Sequence, residues 1–463
     1  MTGESRKLDP TILREYDIRG IVGETLTALD VGAIGRVFGA IMAERGLSTV
    51  CVGRDGRESS PELAENLAAA LAASGMEVWD IGRGPTPMLY FSTFELKADA
   101  GMMITGSHNP PEYNGVKMVL EGKSFFGEAI QDLGARSAAG VFSKGGGTIL
   151  CKDVEDAYVE RLARDFTPGR ELAIAWDPGN GATGDVVEKL IKRLPGRHEV
   201  INQVIDGTFP AHHPDPTVEK NLAQIKELVA ARKCDLGIAF DGDGDRIGLV
   251  DDKGRVIWGD QLMVLLAREV LAGRPGATII ADVKASQVLF DEVGRAGGRP
   301  LMWKTGHSLI KSKMAEEKAP LAGEMSGHIF FADRYYGFDD AIYAAIRLLS
   351  ILTQTDEPLS AMVDRLPKMV NTPELRFPCP EERKFAVAEE IKARLAKDPG
   401  AQVHTMDGVR VNTPDGWWLL RASNTQAVLV ARCEAKDQAG LDRLKAALVD
   451  QLRQSGIAPP DFG

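Results

Sequence analysis

The sequence predicts an α/β protein in which three related α/β domains offer loops to a shared cleft and a smaller α+β domain follows. Three observations lead there. Helical and strand-like patterns alternate over most of the chain. The strand-like runs enter loops rich in Gly, Asp or Ser, the places where open α/β sheets bind ligands. Those loops fall into three successive series. At 463 residues the chain also exceeds what one hydrophobic core supports. The expected division is 1–153, 154–255, 256–368 and 369–463.

Val31, Ile34, Val37, Phe38 and Ile41 recur at three- and four-residue spacing and predict a helix, with a strand after it at 49–53. A second helix opens at Ser60-Pro61-Glu62, an N-cap, a first-position proline and a first-turn acid. It stops at Gly75, ahead of an apolar run at 76–81. Further strands are expected at 102–104, 172–176, 236–240 and 277–283. The first round of loops reads G-R-D-G-R from Gly53, G-P-T-P from Gly84 and T-G-S-H-N-P from Thr105. The second reads D-P-G-N-G from Asp177, D-G-T-F-P from Asp206 and D-G-D-G-D-R from Asp241. The third reads A-D-V-K from Ala281, K-T-G-H from Lys304 and G-E-M-S-G-H from Gly323. After a helical stretch at 340–352, the three prolines of 372–380 predict a hinge or linker. Helices near 382–395 and 441–452 and strands at 417–420 and 427–431 then predict the α+β domain.

Composition narrows the function. With 44% hydrophobic and 26% charged residues, and apolar runs as short as 261–271, no membrane span is expected. The segment 1–10 is polar and mixed in charge, unlike a secretion signal or transit peptide, so a cytoplasmic location is expected. Cys51, Cys151, Cys234, Cys379 and Cys433 are widely spaced and lack a C-x-x-C pair, which suits reduced thiols. A net charge of −11 argues against nucleic-acid binding, which depends on a basic surface. An anionic substrate needs a local basic pocket, and Arg and Lys residues do fall inside the glycine-rich loops.

Four loops carry chemistry. In Ile104-Thr-Gly-Ser-His-Asn-Pro110 a tight turn presents Ser107, with His108 and Asn109 as donors beside it. Such a serine is a candidate nucleophile or an ordinary turn residue. Asp241, Asp243 and Asp245 at alternate positions of an extended chain project to one side, and three clustered carboxylates repel unless a cation joins them. Oxygen ligands of this kind suit magnesium, which keeps positions open for a phosphate oxygen. An EF-hand fits poorly, because Arg246 stands where that loop needs glycine. Glu324 and Ser326 offer an acceptor and a donor for neighbouring sugar hydroxyls, or a structural pair. Arg421, Ser423, Asn424 and Thr425 group a guanidinium, hydroxyls and an amide in one turn that suits a phosphate.

In this order and over this length the loops resemble the α-D-phosphohexomutase family, of the bifunctional phosphomannomutase/phosphoglucomutase type. Glu15-Tyr-Asp-Ile-Arg-Gly20 is similar to the family's opening motif, and the other four loops to its phosphoserine, metal, sugar and phosphate motifs. The resemblance implies three α/β domains with mixed sheets and a fourth α+β domain around a deep active-site cleft. It implies phospho-Ser107 as phosphoryl donor, with Mg²⁺ on Asp241, Asp243, Asp245 and an oxygen of that phosphate. Lys117 and Arg19 then assist proton transfer and charge stabilisation. Lys117 needs a depressed pKa to accept a proton, and His108, His307 and His328 stay candidates for that role.

A hexose 1,6-bisphosphate intermediate must turn around in the site, held by Arg421, Ser423, Asn424 and Thr425 while Glu324 and Ser326 read O3 and O4. Neither contact reads C2, which implies tolerance of glucose and mannose, and the hinge near Thr372 lets the clamp open. Tyr16, Arg246, Lys284 and His307 are further cleft contacts by resemblance. Hexose phosphates are the expected partners, and a monomer is expected. The rivals are a phosphoglucosamine mutase, disfavoured by Met325 and Asn424; a haloacid-dehalogenase-like phosphatase, disfavoured by Asp245; and a non-catalytic sugar-phosphate sensor, which is expected to lose the serine or an aspartate, whereas this chain keeps them all.

Overall fold

The computed structural model describes residues 5–396, 402–424, 426–460 and 462. The first sheet contains β1 (Ile18–Ile21), β2 (Thr49–Arg54), β3 (Glu77–Arg83), β4 (Ala100–Ile104), β5 (Tyr113–Leu120), β6 (Lys123–Ser124) and β7 (Thr148–Cys151). The second contains β8 (Ala173–Asp177), β9 (Arg197–Val200), β10 (Leu236–Phe240), β11 (Ile247–Asp251) and β12 (Val256–Ile257). The third contains β13 (Thr278–Asp282), β14 (Arg299–Trp303), β15 (Leu321–Gly323) and β16 (Ile329–Phe331).

A common unit repeats in these sheets. In the first, β5-β4-β2-β3 lie side by side, in the second β11-β10-β8-β9, and in the third β16-β15-β13-β14. Each unit has three parallel strands and a fourth that returns antiparallel beside the third. The three rounds of loops occupy matching places in this unit, and the last loop of each round is the hairpin between its third and fourth strands. The sheets are therefore mixed, and each hairpin stands at the ligand-binding edge of its parallel strands.

Local sequence explains the first round's helices. Helix α1 (Ala28–Glu44) begins at a capping box in which Thr27 Oγ1 accepts from Asp30 N and Asp30 Oδ2 accepts from Thr27 N. Its Val31, Ile34, Val37, Phe38 and Ile41 stripe is buried. Helix α2 (Ser60–Ala73) differs from expectation. Ser59, not Ser60, stands at the cap and makes no capping bond, while Ser60 Oγ donates to Asp55 Oδ1 at 2.5 Å. Helix α3 is Thr86–Glu95.

The fourth domain is an antiparallel sheet of β17 (Val370–Asn371), β18 (Leu375–Pro378), β19 (Gln402–His404), β20 (Val409–Thr413), β21 (Gly416–Ala422) and β22 (Val428–Ala435). The helices Glu381–Leu395 and Gln438–Gln454 pack against it around a core of its own. The expected hinge at 372–380 is not one. Thr372 exchanges backbone and hydroxyl hydrogen bonds with Cys433, and Leu375–Pro378 pairs with β22. Prolines 373, 378 and 380 are tolerated because this is an outer strand that needs few of its N–H groups. The irregular connection into the fourth domain lies earlier, at 365–369.

No described helix is long and apolar enough to cross a membrane. The five cysteines are free; all but Cys151 are buried.

Candidate active site

Ser107 sits in the β4–β5 hairpin with φ +49°, a left-handed conformation uncommon for a residue with a Cβ. It is buried, its N–H donates to Thr105 Oγ1 at 2.8 Å, and its Oγ lies 3.1 Å from His108 Nδ1 and 3.3 Å from Asp241 Oδ2. The serine of the first domain therefore meets the aspartate loop of the second.

That loop is not extended, as the alternate spacing implied. It is a tight turn wound about one carboxylate, with Asp241 Oδ1 accepting from the N–H groups of Gly244, Asp245 and Arg246 at 2.9, 3.1 and 3.1 Å. Gly244 has φ +77°, and a Cβ on Gly242 would collide with the Ser107 carbonyl. The turn still gathers the three carboxylates, with one oxygen from each within 4.8 Å of the others, all buried.

Burial, reinforced by the charges of Asp245 and Asp243, pushes Asp241 well above the usual carboxylate range. Burial acts on Asp243 in the same sense, but Lys117, Thr86 and Arg19 outweigh it and hold that carboxyl low. Asp243 Oδ1 and Asp245 Oδ1 are buried without a hydrogen-bond partner among the described residues. Orphaned anionic oxygens beside a serine hydroxyl are the donor set of a hard divalent cation, so these residues fit Mg²⁺.

Lys117 projects from β5 and donates to Asp243 Oδ2 at 2.7 Å and Asp245 Oδ2 at 2.5 Å. Burial would lower its pKa, but the two carboxylates win and hold it well above the ordinary lysine value. That direction is the opposite of the depressed pKa that proton acceptance by Lys117 requires. Arg19 on β1 donates to the Gly106 carbonyl, to Asn109 Oδ1 and to Asp17. Burial and the cations Arg246, Arg19 and Lys117 push His108 well below the ordinary imidazole value.

The β15–β16 hairpin brings the third domain in. Glu324 Oε1 accepts from Gly306 N and Oε2 from Ser326 Oγ, both at 2.9 Å. His328 Nε2 accepts from Arg246 Nε at 2.9 Å, which places the ring proton on Nδ1, 3.0 Å from Asp339 Oδ2. His307 stacks on His328, with burial and then Lys311 lowering its pKa. Lys284 is buried between Glu374 and Asp282, at 2.9 and 3.7 Å. Asp282, pushed up to about 6 by burial against the opposing charge of Lys284, accepts from Met325 N and Thr305 Oγ1.

The fourth domain closes the ring of contacts. Arg421 Nε donates to Asp407 Oδ2, which also accepts from Thr305 N. Tyr16 of the first domain donates to the Thr305 carbonyl at 2.8 Å and accepts from Asn424 Nδ2. Ser423 Oγ accepts from Gln426 N at 3.2 Å in the β21–β22 turn. Thr425 lies outside the described residues.

Several contributors had no role assigned from sequence. Thr86 bonds the Asp243 carboxylate and backbone, and Arg57, Asp55 and Asp282 buttress the loops. Each lies in a loop of the three rounds, so its position in the series was the available signal. Asp339 and Asp407 carried none.

Similarity to known proteins agrees with this geometry. Family models for the phosphoglucomutase/phosphomannomutase alpha/beta/alpha domains I, II and III match residues 10–142, 156–254 and 258–370, and the C-terminal domain model matches 374–451. A phosphomannomutase/phosphoglucomutase of Pseudomonas aeruginosa is 44% identical over 452 residues, covering 98% of this chain and 97% of the relative. A phosphoglucomutase of Neisseria gonorrhoeae is 44% identical over 440 residues, 94% of this chain and 95% of that one. The crystal structure of a Burkholderia thailandensis phosphoglucomutase/phosphomannomutase family protein superposes with a TM-score of 0.93 at 44% identity, covering 98% of this chain and all of that one. With all four of its domains matched in order and the loops converging as that arrangement requires, the chain belongs to the phosphoglucomutase/phosphomannomutase family.

Proposed function

We propose that this chain is an isomerase that interconverts hexose 1-phosphate and hexose 6-phosphate, of both mannose and glucose, through phosphorylated Ser107 and a hexose 1,6-bisphosphate. The observation that carries the reading is Ser107 Oγ poised 3.3 Å from a buried aspartate triad beside Lys117. The family is Mg²⁺-dependent. Asp241, Asp243, Asp245 and the Ser107 phosphate would hold that ion, which when bound neutralises charge on the transferring group.

The protein's own groups do the remainder. In the forward half-reaction the bond from phosphorus to Ser107 Oγ breaks and one to the sugar oxygen forms; the sugar hydroxyl gives up its proton and the released serine oxygen takes one, and both transfers reverse when the serine is rephosphorylated. Lys117, an ammonium, supplies charge and a proton on the serine side, with Arg19 fixing the Gly106 carbonyl beside it. His328 accepts the hydroxyl proton at Nε2 once Arg246 Nε withdraws from it, and Asp339, 3.0 Å from Nδ1, orients the ring. His108 is ringed by cations and lacks such a partner. Glu324 and Ser326 read O3 and O4, and Arg421, Ser423, Asn424 and Thr425 hold the idle phosphate, with Tyr16, Arg246, Lys284 and His307 as flanking contacts. The bisphosphate then turns around to present its other phosphate to Ser107.

The domain limits proposed are 1–153, 154–255, 256–368 and 369–463, acting as a cytoplasmic monomer that uses no nucleic acid or membrane. The phosphoglucosamine alternative is not favoured, because relatives 44% identical over nearly the whole chain are a phosphomannomutase/phosphoglucomutase and a phosphoglucomutase. Incubation with phosphorus-labelled glucose 1,6-bisphosphate tests the reading: label is expected on Ser107 in the wild type and on no residue of Ser107→Ala, which should lose turnover by at least about 10³-fold. Label elsewhere, or normal turnover by the variant, would contradict it.

A further inference from the structure

Thr86 and Ser107, from the second and third loops of the first round, touch the aspartate triad. The first loop, Gly53-Arg-Asp-Gly-Arg57, touches no reacting group, yet its last residue is 2% exposed. All its terminal nitrogens serve the Ser107 hairpin. Arg57 Nη2 donates to the carbonyls of Ser107 and Asn109 at 2.8 and 2.6 Å, and Nη1 to those of Pro110 and Tyr113 at 2.5 and 3.0 Å. Asp55 completes the cradle: its Oδ2 accepts from Gly106 N at 2.9 Å and lies 3.3 Å from Arg57 Nε. A Cβ on Gly106 would collide with the guanidinium, so the hairpin is seated directly on it.

The cation is itself held from the second domain. In the loop opened by Asp206-Gly-Thr-Phe-Pro210, Phe209 adopts φ +51°, a marked departure for an aromatic residue, and its ring lies 5.1 Å from Arg57 Cζ. Gly207 leaves no room for a Cβ against Arg57 Cα. The loop is tied down behind them by Asn180 Nδ2 on the Val204 carbonyl at 2.8 Å and by His212 Nε2 on Asp177 Oδ2 at 2.9 Å.

We propose that Arg57 is a positioning residue for the phosphoryl transfer assigned above: it holds Ser107 in its left-handed turn, and Phe209 of the second domain holds Arg57. The inference rests on the phosphoserine reading. Backbone in that conformation persists only where its surroundings over-determine it. Drawing the Ser107 carbonyl onto Arg57 turns the His108 N–H of the same planar peptide the opposite way and sets the direction of the serine side chain. Arg57 also links the domain that carries the nucleophile to the domain that carries the aspartates, so the distance between the two depends on it.

The test compares Arg57→Lys and Phe209→Leu with wild type in the full-length, Mg²⁺-loaded enzyme. Lysine keeps the charge but cannot serve four carbonyls from one plane. With glucose 1-phosphate and priming bisphosphate, Arg57→Lys should lower kcat by about 10²-fold at unchanged KM, as small misplacement of a reacting group does. Ser107 should still take label from the bisphosphate, and guanidinium ion should restore part of the turnover of Arg57→Ala. Wild-type kcat in Arg57→Lys, or a loss confined to KM, overturns the proposal while leaving the phosphoserine reading intact. Failure of the wild type to take label overturns the reading itself. If Arg57→Lys does not fold, Phe209→Leu decides: a lowered kcat at unchanged KM supports positioning, and an unchanged kcat overturns it.

Discussion

At the scale of the residue, the site is organised by charge held out of water. Asp241, Asp243 and Asp245 are each fully buried, and Lys117 is their one direct ammonium partner among the described residues. Removing one carboxylate leaves Lys117 underpaired and the cation site short of a ligand. Asp243→Asn should therefore lower turnover by about 10²-fold or more and shift the Mg²⁺ titration to higher concentration; an unchanged titration would strike Asp243 from the ligand set. His212 bears on stability. Burial opposes its protonation, but the bond and charge of Asp177 prevail and raise its pKa. A raised folded-state pKa contributes stability that is fully present below about pH 6.5, the ordinary imidazole value, and is lost as pH rises through the folded value. Thermal melts across that window should show wild type losing stability with rising pH and His212→Gln losing less. Parallel curves would deny the pair that role.

At the scale of the element, β10 was legible because a central strand covered on both faces reads as a continuous apolar run, and all five of its residues are buried. β7 was not, because its four residues are exposed and pair on one side only. β14 was hidden by Pro300, which an edge strand accommodates and a central one does not. The motif loops were legible as chemistry but not as shape. Alternate aspartates suggested an extended ribbon, whereas Gly242 and Gly244 permit the close approach and left-handed turn that wind it up. Ser107, Lys117 and the aspartates could be named from sequence. Arg57 and Thr86 could not, because their roles exist only where loops distant in sequence meet, Arg57 against the Ser107 hairpin and Thr86 against Asp243 of the second domain.

The fourth domain's seating is likewise invisible in sequence. Buried Arg410 on β20 donates to the carbonyls of Val283 and Ala285 at 2.7 and 2.8 Å and lies over Trp417. Arg410→Met would orphan both carbonyls and should cost about 2 kcal/mol of stability. Denaturant unfolding followed by tryptophan fluorescence would register it, and an unchanged midpoint would mean that the domain is held by other contacts.

At the scale of the molecule, one topological unit used three times delivers three hairpins to one place, and the fourth domain adds its own. The contacts that join them are polar: Thr86 and Lys117 to the aspartates, Arg246 to His328, Lys284 to Glu374, and Tyr16 to Thr305 and Asn424. Apolar packing unites the second and third domains with one face of the first sheet, while the fourth keeps a core of its own and meets the third through a small cluster of Val283, Trp417 and Leu419. Under the proposed reaction such a site stays fixed at Ser107 while the loop that would hold the idle phosphate belongs to the separately packed unit, as a substrate that must turn around requires. The measurement that bears most directly on this account is a phosphorus NMR time course of the Mg²⁺-loaded protein with mannose 1-phosphate and a trace of glucose 1,6-bisphosphate, repeated with glucose 1-phosphate. Growth of the 6-phosphate signal at the expense of the 1-phosphate, without inorganic phosphate, is the predicted result for both sugars. Release of inorganic phosphate, or no change with either sugar, would contradict it.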